Sequence, residues 1–247
     1  MTTLMKYEFR KSVISKLIFI GITAVMEIIF LVGLFGLHDE PLFAGMLGLF
    51  FTALAGIAYI GIESILTLYR DLTTKQSYML FMKPNNSFKI LGAKALENGL
   101  AVLLSGAFFG ALAAVDFMLL IREYGSVGDI LDMARSMLTS IDARLDLSAQ
   151  ALAAVLFMIL CSWVLRIVTG YFAVVLSCTF LSGKKAAGVI SFLIYIGISL
   201  GTGWLSDLFP EMPNVIHGLL LEGGFALLCA VVMYFVTAWI MDRKLSV

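Results

Sequence analysis

The stretch "LIFIGITAVMEIIFLVGLFGL", Leu17–Leu37, carries one charged residue, Glu27, in an otherwise apolar run. About 20 such residues are needed for a helix to cross the hydrocarbon core of a bilayer. Only a structure that satisfies its own backbone hydrogen bonds survives there. The run is longer than the roughly 7–15 apolar residues of a signal peptide, and no small-residue cleavage site follows it. It is therefore expected to be a retained membrane span.

The rest of the chain agrees. Of 247 residues, 61% are hydrophobic and 14% charged, and the mean hydropathy is +1.00. Soluble domains carry about 45–50% apolar and about 25% charged residues. Five further runs are long enough to span, giving Leu17–Leu37, Leu42–Leu68, Ala95–Ile121, Ala149–Leu181, Ala186–Ser206 and Gly218–Met241. The expected fold is an all-α polytopic membrane protein: one transmembrane domain over residues 1–247, with six transmembrane helices. The fourth run exceeds what a bilayer requires, so it must tilt, kink or protrude.

The 17 basic and 17 acidic residues cancel, but their placement is uneven. Lys6, Arg10, Lys11 and Lys16 precede the first span. Arg70, Lys75, Lys83, Lys89 and Lys94 follow the second, Lys184 and Lys185 the fourth, and Arg243 and Lys244 the sixth. The opposite loops hold Arg122, Arg135 and Arg144 among a larger number of acids. Positive loops stay inside, so both termini are expected to be cytoplasmic. There is no basic stripe of the kind that binds nucleic acid.

The segments between spans have their own patterns. Residues 1–16 place Met5, Phe9, Val13 and Leu17 four apart, with Lys6, Arg10 and Lys11 elsewhere on the wheel. This predicts an N-terminal amphipathic helix lying in the membrane interface against lipid. Residues 69–94 predict a compact cytoplasmic hairpin. Asp71 or Thr73 caps a short helix, which passes through Lys75, Tyr78, Leu80 and Phe81 and stops at Lys83-Pro84. Lys94 and Glu97 are spaced to pair on one helix face. Residues 122–148 predict an outward segment with an internal helix beginning near Ser126.

Charges within spans are costly and are candidates for function. Glu27 and Arg166 both fall near mid-span, and their matching depths suggest a pair. Glu63 lies nearer the inner end of span two. Glu97, Asp116 and Glu222 suit structural pairing or snorkelling. Gly106 and Gly110 in span three, and Gly197 and Gly201 in span five, are GxxxG pairs that permit close helix packing, within the chain before dimerisation.

Catalytic signatures are missing. "SGKK" at Ser182–Lys185 lacks the upstream glycine and following Ser or Thr of a P-loop. His38 and His217 are the only histidines, and Cys161, Cys178 and Cys229 have no metal or disulfide spacing. The chain is expected to be no enzyme by itself, with no catalytic, cofactor or metal residues.

With these residues in view, the chain resembles the permease subunits of ABC-2 type ATP-driven exporters. A basic amphipathic start, "KYEFRKSVISK", runs into span one. Leu80, Pro84, Leu91, Gly92 and Lys94 in "YRDLTTKQSYMLFMKPNNSFKILGAKAL" fall on the family's loop pattern, although Lys83-Pro84-Asn85 departs from its usual leucine–proline pairing. The resemblance implies that the loop holds a coupling helix, comprising Asp71, Leu72, Thr73, Lys75, Tyr78, Leu80, Phe81, Lys83 and Pro84. That helix would dock on a separate cytosolic ATPase carrying ATP and magnesium. It also implies a second copy of the chain, an exported substrate and a multi-pass location in a bacterial cell membrane. Among family members the sequence looks most like small peptide exporters, such as those that secrete phenol-soluble modulins. The alternative is a stand-alone secondary transporter or channel without an ATPase.

Overall fold

The structure is a computed structural model that describes residues 2–36, 39–73, 87–124, 149–180, 187–209, 212 and 214–244. It contains six long helices: α1 Thr2–Gly36, α2 Asp39–Thr73, α3 Ser87–Tyr124, α4 Ala149–Phe180, α5 Ala187–Asp207 and α6 Val215–Lys244. Each contains a segment long and apolar enough to cross a membrane. The chain is thus an all-helical, multi-pass membrane protein in its described residues.

Helix ends differ from the expected ones for clear reasons. The separate interfacial helix expected over residues 1–16 is instead the first part of α1, which is unbroken from Thr2 to Gly36. That stretch contains no proline, and backbone hydrogen bonding continues through a change from basic to apolar side chains. Likewise α2 runs on past Leu68 to Thr73. Asp71 and Thr73 therefore lie in its last turn. The Thr73 hydroxyl donates back to the Tyr69 carbonyl at 2.8 Å. The expected helix through Lys75–Phe81 and the helical segment near Ser126 lie outside the described residues.

The chain divides into two compact units. Unit 2 comprises residues 6–60 and 100–144, and so most of α1, the first part of α2 and the second part of α3. Here α1 and α2 pack antiparallel. Gly33 meets Leu42, Gly45 meets Phe30, Gly48 meets Met26 and Gly56 meets Phe19, a register in which one helix descends as the other climbs. At Gly45 a Cβ would sit 2.5 Å from the Phe30 backbone, and only hydrogen allows that approach. Thr23 and Thr52 are buried on these helices, their hydroxyls bonded to the Phe19 and Gly48 carbonyls.

Unit 1 comprises residues 1–5, 61–99 and 145–247, and is organised around α4. Nearly every residue of α4 from Ile167 to Val175 is buried, so this part of the helix is wrapped on all sides. Helix α6 runs parallel to it: Gly223 lies against Phe157, and the Thr169 hydroxyl donates to Met233 Sδ at 3.3 Å. The core gathers Leu68 of α2, Ile90 and Leu91 of α3, Tyr171, Val174 and Val175 of α4, and Ala238 and Met241 of α6. Asn214 caps α6, its side-chain oxygen accepting from the Ile216 amide at 3.0 Å.

Candidate functional site

The core of unit 1 lies at the ends of α2 and α3 that flank residues 74–86. Thr73 and Ser87 are the last described residues on either side of that stretch, and polar groups tie both roots down. The Lys94 ammonium meets the Asp71 carboxylate at 2.8 Å, with both side chains 3–4% exposed. The Ser87 amide, at the start of α3, donates to Asp242 Oδ1 at 3.2 Å. One residue on, the Phe88 carbonyl accepts from the Tyr234 hydroxyl at 2.7 Å. Deeper, Trp163 Nε1 donates to Asn98 Oδ1 at 3.0 Å, and the hydroxyls of Ser64 and Tyr171 share a hydrogen bond. Four helices are thus joined by side-chain bonds near Thr73 and Ser87.

This arrangement sorts the residues expected to couple. Asp71 is buried at 3% exposure and pairs with Lys94, which ties the end of α2 to the start of α3. Leu72 packs on the core, and Thr73 is exposed at the rim. Lys75, Tyr78, Leu80, Phe81, Lys83 and Pro84 lie outside the described residues. The salt bridge was not legible in spacing, because it joins residues 23 positions apart.

A second feature of unit 1 is a polar cavity of about 170 Å³ between α4, α5 and α6. Helix α4 lines it with Ser162, Arg166 and Thr169, and α6 with Glu222. Helix α5 adds Ser199, Thr202 and Ser206 on one face. Such a volume holds several waters. Arg166 sits near the middle of α4 and is exposed, as is Glu222. A guanidinium at that depth belongs in a protein interior or a watered cavity, where hydroxyls replace its hydration. It offers a forked, permanent cation to a carboxylate or phosphate, and Glu222 offers an anion to an amine. The signal for this site was present in the spans as a polar row at helical spacing.

Glu27 belongs to unit 2, and the partner that the structure gives it there is Asp116 of α3, within hydrogen-bonding reach. The pair expected from matching depths, Glu27 with Arg166, joins residues of different units. Arg166 lies in unit 1, in the cavity with Glu222. Glu63 is half-buried in unit 1, and its backbone carbonyl accepts from Thr67 at 2.7 Å. At Gly106, Gly110, Gly197 and Gly201 an added Cβ would meet nothing within 4 Å among the described residues. The close contacts fall on Gly33, Gly45, Gly48, Gly61, Gly170 and Gly223. Among the described residues no group of three or more His, Cys, Asp or Glu could hold a metal ion.

No protein-family model, curated protein or solved structure matches this chain.

Proposed function

We propose that the chain is the membrane subunit of an ATP-driven exporter, carrying amphipathic peptides or other hydrophobic compounds out of a bacterial cell. In this reading both termini and residues 74–86 face the cytoplasm, in keeping with the lysine and arginine distribution. Residues 74–86 dock on a separate ATPase, which holds ATP and magnesium and performs the hydrolysis. A second copy of the chain completes the path.

The observation that carries the reading is the buried Asp71–Lys94 bridge at the roots of this stretch. A loop that only joined two spans would gain little from a fixed base. A loop that receives force needs one, and here a pull on either root is shared by α2, α3, α4 and α6 within unit 1. The cavity around Arg166 supplies polar partners at membrane depth for the charged ends of a cargo. The apolar faces of the helices suit its greasy remainder.

The test is purification of the tagged chain from its native membrane, followed by reconstitution in liposomes. An accompanying ATPase, with ATP hydrolysis stimulated by amphipathic peptide, supports the reading. Transport that proceeds without any ATPase overturns it. That outcome favours the second reading, a stand-alone secondary transporter, to which the buried carboxyls of Glu27 and Asp116 lend support.

A further inference from the structure

We propose that Glu27 and Asp116 form a proton-binding site inside unit 2, holding a single proton between their two carboxyl groups.

The argument begins with depth. Glu27 is nine residues from the end of α1 at Gly36, and Asp116 eight from the end of α3 at Tyr124. At 1.5 Å per residue each lies roughly 13 Å inside its helix end, well within a hydrocarbon core about 30 Å thick. Two helices therefore bring carboxyl groups to the same level, where their side chains come within hydrogen-bonding reach. Asp116 is 91% buried, from its 9% exposure, and Oδ1 has no hydrogen-bond donor among the described residues. The same holds for Glu27 Oε2.

Among the described residues, the surroundings of Asp116 offer it little compensation. Asp116 opens on a cavity of about 300 Å³ that is otherwise lined by apolar side chains such as Phe30, Phe50, Phe109 and Leu120. From α2, Met46, Leu49, Phe50 and Ala53 face it, and none titrates. On α3 the nearest charged groups along the helix are Arg122 and Glu123, at its far end. On α1 the basic residues Lys6, Arg10, Lys11 and Lys16 lie at the opposite end from Gly36. The charged group acting on Glu27 is Asp116 itself. Two bare carboxylates are disfavoured in such a place, because Asp116 and one oxygen of Glu27 are out of water and the two charges repel each other. One proton turns one of them into a donor and the repulsion into a hydrogen bond.

The ligand is a proton and not a metal cation. Hard cations of protein sites take six or more oxygens, whereas this cavity adds no hydroxyl, amide or further carboxylate to the pair. Helical carbonyls here are engaged in their own helices. The site needs neither ATPase nor cargo, so its fate is separate from that of the transport reading.

Dicyclohexylcarbodiimide reacts with protonated carboxyl groups in apolar surroundings, and so tests the site on the intact purified protein in lipid nanodiscs. Peptide mass spectrometry is expected to place an acylurea adduct on Glu27 or Asp116, with labelling declining as the medium is made alkaline. In Asp116→Asn the midpoint for labelling of Glu27 should move to lower pH, since a like charge has been removed. Absence of adduct from both residues in the folded wild-type protein overturns the proposal, and so does an unmoved midpoint in a folded Asp116→Asn. Protection by sodium but not potassium at fixed pH also overturns it, in favour of a metal cation. The wild-type measurement decides the matter even if a variant fails to fold.

Discussion

The carboxylate of Asp71 and the ammonium of Lys94 meet at 2.8 Å across the two roots of residues 74–86, and both are almost wholly excluded from solvent. Their worth is mainly in what their separation would cost. Removing one partner of a buried pair strands the other charge, at about 3–5 kcal/mol, whereas replacing both is far milder. Lys94→Met should therefore lower thermal stability in detergent strongly. Asp71→Leu combined with Lys94→Met should recover most of the loss. Equal damage from the single and double variants would show that the bridge is no unit.

Tyr171 is fully buried, and its hydroxyl shares a hydrogen bond with Ser64. Tyr171→Phe keeps the ring and removes the bond, leaving Ser64 buried without that partner. The expected loss is about 1–3 kcal/mol, read from chemical or thermal unfolding in detergent. Ser64→Ala in the Tyr171→Phe background should add little, because the two hydroxyls act as one pair.

Glycines in this chain should differ sharply by position. Gly45→Ala puts a methyl group into the Phe30 backbone and should destabilise by about 1–3 kcal/mol or more. Gly106→Ala and Gly110→Ala meet open space among the described residues, and alanine favours a helix over glycine by about 1 kcal/mol. These should be neutral or mildly stabilising. Gly197→Leu and Gly201→Leu leave the fold intact as well. If a second copy packs on that face, they shift the oligomeric state on size-exclusion chromatography with light scattering.

Arg166 offers the fixed cation of the unit 1 cavity, with five hydroxyls and Glu222 around it. Under the proposed function, Arg166→Gln should cut peptide export about tenfold, the equivalent of one charge-assisted hydrogen bond. Membrane insertion and expression should be unchanged. Export at the wild-type rate would remove the cavity from the path.

The six helices were legible because hydropathy alone selects segments that can live in lipid. Their ends were less so: Lys6, Arg10 and Lys11 suggested a separate surface helix, yet nothing in residues 2–36 stops a helix once begun. The nearness of Asp116 to Glu27 was hidden for another reason. Depth can be counted along one helix, but which faces meet depends on rotation and neighbours, and Asp116 emerges only when α3 is counted from its Tyr124 end. The GxxxG pairs show the same limit. A glycine permits a close approach, and Gly45 and Gly48 use that permission where Gly106 and Gly110 do not.

The stretch Lys75–Pro84 remains the centre of the proposed function, since Tyr78, Leu80 and Phe81 are too apolar for a plain wet loop. A photo-reactive benzoylphenylalanine placed at Phe81, activated in living cells, tests this most directly. The account predicts a crosslink to a cytosolic ATPase subunit, lost when Tyr78 is also changed to Glu. Crosslinks to lipid alone, or labelling from outside the cell, would contradict it.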